Sequence, residues 1–129
     1  MDPTQQQEAP LSADATPNPV ISPISGRVHV YFDDAEIAST LKAMRLEEPG
    51  LAPQIFIPLD AVHPGILEAS DTRSQAPGKG EAHYYTIKLL TADGPDRVWY
   101  YPYADGAYSD IRDLLTFGGE RIEIRVSDV

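Results

Sequence analysis

Glu81-Ala82-His83-Tyr84-Tyr85-Thr86-Ile87-Lys88-Leu89-Leu90, followed after a short break by Arg97-Val98-Trp99-Tyr100-Tyr101-Pro102-Tyr103, is the stretch that decides the fold. Both runs are rich in aromatic and β-branched residues. The connector Thr91-Ala92-Asp93-Gly94-Pro95-Asp96 carries the residues that turn a chain. The pair therefore reads as an antiparallel hairpin. With a symmetric loop, Leu90 opposes Arg97, and Lys88, Thr86 and Tyr84 oppose Trp99, Tyr101 and Tyr103, all on one face. The other face carries Ile87, Leu89, Val98 and Tyr100, which is core material. The aromatic face either lines a ligand pocket or packs beneath a second sheet, its polar tips satisfied.

Working outward, Arg27-Val28-His29-Val30-Tyr31-Phe32 alternates as a strand and stops at the turn Asp33-Asp34. Residues 35–48 place Ile37, Leu41 and Met44 near helical spacing, and taken alone that pattern favours a helix. Gln54-Ile55-Phe56-Ile57 is a short strand ended by Pro58. A helical turn opened by Asp60 fits before Pro64-Gly65, and residues 70–80 carry loop signals. Residues 105–114 suit one short helix that turns Ile111, Leu114 and Leu115 inward. Phe117-Gly118-Gly119-Glu120 makes a tight turn, and residues 121–126 alternate as a half-exposed last strand.

At 129 residues the chain suits one domain. Residues 1–25 hold Pro3, Pro10, Pro17, Pro19 and Pro23 among small polar side chains, so they are expected to form a disordered tail, leaving 26–129 as a single domain. The tail lacks the cationic start and apolar core of a signal peptide. No run approaches the roughly 18 apolar residues of a membrane span. With no cysteine there is no disulfide, thiol nucleophile or thiolate metal site, and a cytoplasmic location is expected. The tail carries −3 of the net charge of −10, so the body carries −7, which repels phosphate backbones and argues against nucleic-acid binding.

Candidate chemistry concentrates in Pro77-Gly78-Lys79-Gly80-Glu81. Two glycines around a lysine can turn backbone N–H groups and an ammonium toward one anion, or can simply form a turn with the lysine in water. The spacing is not that of a P-loop. Glu81 is a candidate acid–base residue or the partner that fixes Lys79; Asp60 is the other carboxylate open to catalysis, and Arg73 could add to an anion site. His29, His63 and His83 have no metal-ligand spacing, so neither a metal nor a cofactor is expected.

Lys79-Gly80-Glu81-Ala82-x-Tyr84, then Trp99-x-Tyr101-Pro102 and Leu115-Thr116-Phe117, resemble the pattern of domain-of-unknown-function family 427, as do Ile37-Ala38-Ser39, Ile57-Pro58-x-Asp60-Ala61-Val62 and Ser70-Asp71 in order. The resemblance covers roughly residues 27–126. It implies a mainly β, compact single domain of coiled antiparallel sheets, Mss4-like or β-tent-like, with one or two short helical turns. It also implies that residues 36–46 form a strand pair rather than a helix, against their helical spacing, and on this point the family is followed. The family is also labelled nucleotidyltransferase-like. It commonly has Cys-Pro where this chain has Ala76-Pro77, so chemistry needing that thiol is lost here.

The expected function is binding of a small ligand, with an anionic one in view, on the aromatic hairpin face, through Lys79, Glu81, Tyr84, Trp99, Tyr101 and Arg73. Two alternatives stand beside it: a nucleotidyltransferase-like enzyme, and a non-catalytic interaction module that forms a homodimer through the edge of the last strand.

Overall fold

A computed structural model describes residues 18–128. Ten strands, β1 (Val20–Pro23), β2 (Arg27–Phe32), β3 (Ala35–Thr40), β4 (Met44–Glu47), β5 (Gln54–Ile57), β6 (Leu67–Ala76), β7 (Gly80–Lys88), β8 (Asp93–Tyr100), β9 (Leu115–Phe117) and β10 (Ile122–Ser127), alternate with 3-10 turns at Leu59–Ala61 and Gly106–Ile111. They form a seven-stranded sheet, β1-β4-β5-β9-β8-β7-β6, and a three-stranded sheet, β10-β2-β3. Every pairing is antiparallel.

The period-2 rule of strands explains how the large sheet is buried on both faces. Phe56 points into one apolar cluster and its neighbour Ile57 into the other; Val98 and Tyr100 go one way, Trp99 and Tyr101 the other. The first cluster lies between the sheets, where Val28, Val30 and Phe32 of β2 meet Ile57, Ile87, Val98, Leu115 and Phe117. Phe32 lies so close to β8 that a Cβ at Gly94 would stand 2.8 Å from its ring, so this strand position requires glycine. The second cluster covers the opposite face: Leu46, Phe56, Ala82 and Tyr101 pack under Tyr108 and Ile111 of the second 3-10 turn.

The mainly β architecture agrees with expectation, and residues 36–46 hold strand rather than helix as the family resemblance implies, though not as a pair. The helical spacing there is incidental. Leu41, which a helix face would bury, is exposed, while the adjacent Ile37 and Ala38 are both buried beside a β-bulge in the β2–β3 pairing. The two strands do not pair with each other: β3 joins β2, and β4 joins β1 and β5.

Residues 70–80, read as a loop, belong largely to β6. This strand lies on the edge of the sheet with mostly exposed side chains and a bulge between Ala69 and Arg73, so it needs no apolar alternation. The β7–β8 hairpin is present in another register. Tyr84 opposes Trp99, and Lys88 opposes Asp93, because the connection is only Leu89-Leu90-Thr91-Ala92 and a bulge absorbs the rest. The slip in pairing is an even number of residues, so the division into faces survives it. Residues 1–17 of the expected tail lie outside the described residues; from Val20 the chain is already strand, paired with β4, and Ile24 is buried.

Candidate functional site

The β6–β7 connection begins with Ala76-Pro77-Gly78-Lys79. The Lys79 amide donates to the Ala76 carbonyl at 3.1 Å, and Gly78 has φ of 80°. Proline second and a positive-φ glycine third are the features of a type II turn. The turn aims Lys79 inward. Its side chain is only 6% exposed, and its ammonium donates to Glu48 Oε1 at 2.8 Å. The Tyr108 hydroxyl donates to the other carboxylate oxygen at 2.6 Å. The rings of Tyr101 and Tyr108 stand 5.7 and 5.3 Å from the ammonium nitrogen, within cation–π reach.

Both carboxylate oxygens of Glu48 are therefore engaged, and the ammonium is enclosed by one anion and two aromatic faces. Burial pushes the Glu48 carboxyl up, but hydrogen bonds from Lys79 and Tyr108 and the ammonium charge outweigh it, leaving the group below its ordinary value. Burial, then the hydrogen bond to Glu48, pushes the Tyr108 phenol up to about 12. The Tyr108 ring lies against Gly78, where a Cβ would come within 2.8 Å of it. Sequence spacing gave Glu48 and Tyr108 no role; they lie 31 and 29 residues from Lys79 and meet it only through the fold.

The other expected site residues divide between two faces. Tyr84, Trp99 and Tyr101 share the Lys79 side: Tyr84 and Trp99 are half-buried with ring centroids 5.8 Å apart, and the Trp99 indole donates to the buried Tyr101 hydroxyl at 3.0 Å. Tyr84 shares a 2.8 Å hydrogen bond with Ser74. Burial raises the Tyr101 phenol, against the lowering effect of the Trp99 hydrogen bond. Glu81 does not partner Lys79; its carboxylate meets His83 Nε2 at 2.9 Å. Arg73 caps the carbonyls of Ser70 and Thr72 at 3.0 and 2.8 Å, and Asp60 is exposed in the first 3-10 turn.

On the opposite face of the hairpin lies a pocket of about 180 Å³ lined by Leu59, Tyr85, Tyr100, Asp113 and Leu115. Tyr85 and Tyr100 are stacked, with centroids 5.5 Å apart and planes 26° from parallel. Burial, then the Tyr85 neighbour, raises the Tyr100 phenol. Arg73, His83 and Tyr100 are neighbours across β6, β7 and β8, so Arg73 belongs to this side of the sheet. The sequence marks Tyr100 as core and attaches no signal to Asp113, whose positive φ of 67° places it in a turn before β9. Among the described residues, no three of His, Asp or Glu are gathered so as to hold a metal ion.

The family model described as domain of unknown function, DUF427, and labelled NTP_transf_9, matches residues 20–128. The chain belongs to the DUF427 family. The match starts at the first residue of β1 and runs past the end of β10, so this DUF427 domain includes both sheets, the Lys79–Glu48 pair and the Tyr85–Tyr100 pocket. A search of curated proteins finds no match. No helix among the described residues is long and apolar enough to cross a membrane.

Proposed function

We propose that this domain binds a small molecule on the β7–β8 hairpin, and that the ligand sits on the Tyr85–Tyr100 face. The observation that carries this reading is the pocket itself: a concavity of about 180 Å³ with two stacked phenols, two leucines and one carboxylate. A cavity of roughly 150 Å³ accepts a benzene ring, whereas drug-sized ligands occupy roughly 300–1,000 Å³. The volume thus favours a single ring or a similar small group. The rings of Tyr85 and Tyr100 offer it a flat wall, and Asp113 offers an acceptor for an amine or hydroxyl substituent.

The Lys79 side suits a ligand less well. Its ammonium is already paired, so an incoming anion would have to displace a buried carboxylate. For an anionic ligand the cation on the pocket's side of the sheet is Arg73, which stands outside the residues that line the pocket. A nucleotidyltransferase would have to hold a nucleotide, which exceeds this pocket, and the reading draws its support from the family label alone.

The test is ligand-observed NMR with a set of single-ring amines, phenols and carboxylates. At least one class is expected to bind saturably and to lose about tenfold or more in affinity in Tyr100→Leu. If none binds at millimolar concentration, or if binding is unchanged in Tyr100→Leu and Asp113→Asn, the pocket is not a ligand site.

One further observation favours a second reading, an interaction module: β10 is an open edge of the three-stranded sheet. A homodimer through β10 would double that sheet. Light scattering that gives a monomer mass at high protein concentration removes it.

A further inference from the structure

On the outer face of the three-stranded sheet, away from both apolar clusters, three side chains form a chain of hydrogen bonds. The His29 Nδ1 atom lies 2.7 Å from Glu36 Oε2, and its Nε2 atom lies 3.0 Å from Ser127 Oγ. The residues come from three strands, β2, β3 and β10, and Ser127 is 98 positions from His29 in sequence. None of the three is needed to fill the core. The His29 and Glu36 side chains are 23% and 39% exposed, and Ser127 is exposed.

The order of atoms carries the chemistry. A carboxylate accepts only, so Nδ1 holds the proton and donates it to Glu36. In the neutral imidazole this leaves the Nε2 lone pair to accept from the serine hydroxyl. Nucleophile, base and the group that orients the base are thus each within hydrogen-bond reach of the next. Arg27 supplies positive charge for a developing oxyanion, while the charge of Arg125 is paired with Glu123. Arg27 stands directly opposite Ser127 in the β2–β10 ladder, and Arg125 opposite His29, so both guanidinium groups belong to the same face. Arg27 is tethered to Ser39 at 3.1 Å and Arg125 to Glu123 at 2.8 Å, which holds both near the row.

We propose that Ser127 is an acyl-accepting nucleophile, with His29 as its base and Glu36 as the positioning residue, and that its substrates are small activated acyl donors such as unhindered esters and thioesters. In the step, Ser127 Oγ bonds to the acyl carbon and the bond to the alcohol or thiol breaks. The serine proton passes to His29 Nε2 and from there to the leaving group. Water then attacks the acyl-serine by the same route in reverse, releasing the acid. Glu36 and Ser127 are exposed, so a small donor can reach the serine from solvent. The reading is independent of the Tyr85–Tyr100 pocket.

The test treats the full chain with p-nitrophenyl acetate and maps the acetylated residue by peptide mass spectrometry. Acetyl is expected on Ser127. Its rate of appearance should fall on the order of 10²-fold in His29→Gln and about tenfold in Glu36→Gln, with Glu36→Asp close to the original. Melting temperatures of these variants should stay near that of the original chain, since the three side chains are peripheral. Acetyl found only on lysines or the terminal amine overturns the proposal. So does acetylation of Ser127 at an unchanged rate in His29→Gln, which would leave the three residues as a surface hydrogen-bond chain.

Discussion

The two faces of the β7–β8 hairpin use similar side chains for different ends. On one, which carries Tyr84, Trp99 and Tyr101, a lysine spends its charge on Glu48 and the rings of Tyr101 and Tyr108. On the other, Tyr85 and Tyr100 stack beside an open pocket. The first face is covered by the 3-10 turn Gly106–Ile111, which brings down Tyr108 and Ile111; the second is left incompletely covered between Leu59 and Asp113. Aromatic residues on a strand therefore do not by themselves mark a binding surface. What decides is whether a distant segment closes over them and whether their polar neighbours already have partners.

The comparison is broken most severely at the ion pair. Lys79→Met leaves the Glu48 carboxylate buried with no cation, and the expected cost at neutral pH is about 3–5 kcal/mol by urea denaturation. The double variant Lys79→Met/Glu48→Leu removes both charges and should recover most of that loss, since two apolar chains replace two buried ions. Acidification should narrow the gap between the two variants. With Lys79 present, the lowered Glu48 carboxyl contributes stability above its unfolded value, and this is lost as pH falls through the folded value. Without Lys79, the lowering influences are reduced and the carboxyl protonates more easily, so part of the Lys79→Met deficit should disappear in mild acid. A single variant that melts like the original chain would show that the pair is not what closes this face.

Alkali sharpens the same contrast with a smaller effect. The Tyr108 phenol moves from 10.0 to about 12 on folding, so its neutral form is favoured in the folded state. The stabilising share is fully present below about pH 10 and is lost as pH rises through about 12, an effect of order 3 kcal/mol over the window. Tyr100 and Tyr101 are raised as well and steepen the loss. In Tyr108→Phe the alkaline slope should be shallower, though the variant begins less stable because Glu48 has lost a donor. Unfolding midpoints at intervals from pH 8 to about 12 check this; parallel slopes for the two proteins would contradict it.

Much of the fold is legible in the sequence because strands announce themselves where one face is apolar. β2, β5 and β10 read correctly, as did the existence and the faces of the β7–β8 hairpin. The edge strand β6 does not, because between Leu67 and Ala76 its side chains are mostly polar and exposed, without apolar alternation. The hairpin register was missed since Asp93-Gly94-Pro95-Asp96 has turn composition yet forms a bulged strand start, with Gly94 set by Phe32 from the other sheet. Lys79 stood out through its flanking glycines, which shape the turn that buries it. Glu48 carried no such flag, because a buried carboxylate next to Pro49-Gly50 reads like any exposed turn residue until its partners are known.

The smallest effect falls on the open face, and it is the one that separates binding from packing. Tyr100→Leu keeps an apolar side chain against the first cluster and removes one ring of the stacked pair, so the expected loss is about 1 kcal/mol. Trp99, one residue away and pointing to the closed face, offers the matching control: Trp99→Leu removes a larger ring and leaves the Tyr101 hydroxyl without its indole donor, and should cost about 3 kcal/mol. Single-ring ligands should reverse the order. Their affinity is expected to drop in Tyr100→Leu and to stay within about twofold in Trp99→Leu, because Trp99 belongs to the other cluster. Thermal melts and NMR titrations of the two variants read both quantities. If the ligand affinity instead followed Trp99, the binding face would be the one that Lys79 closes, and the ion pair would have to open for it.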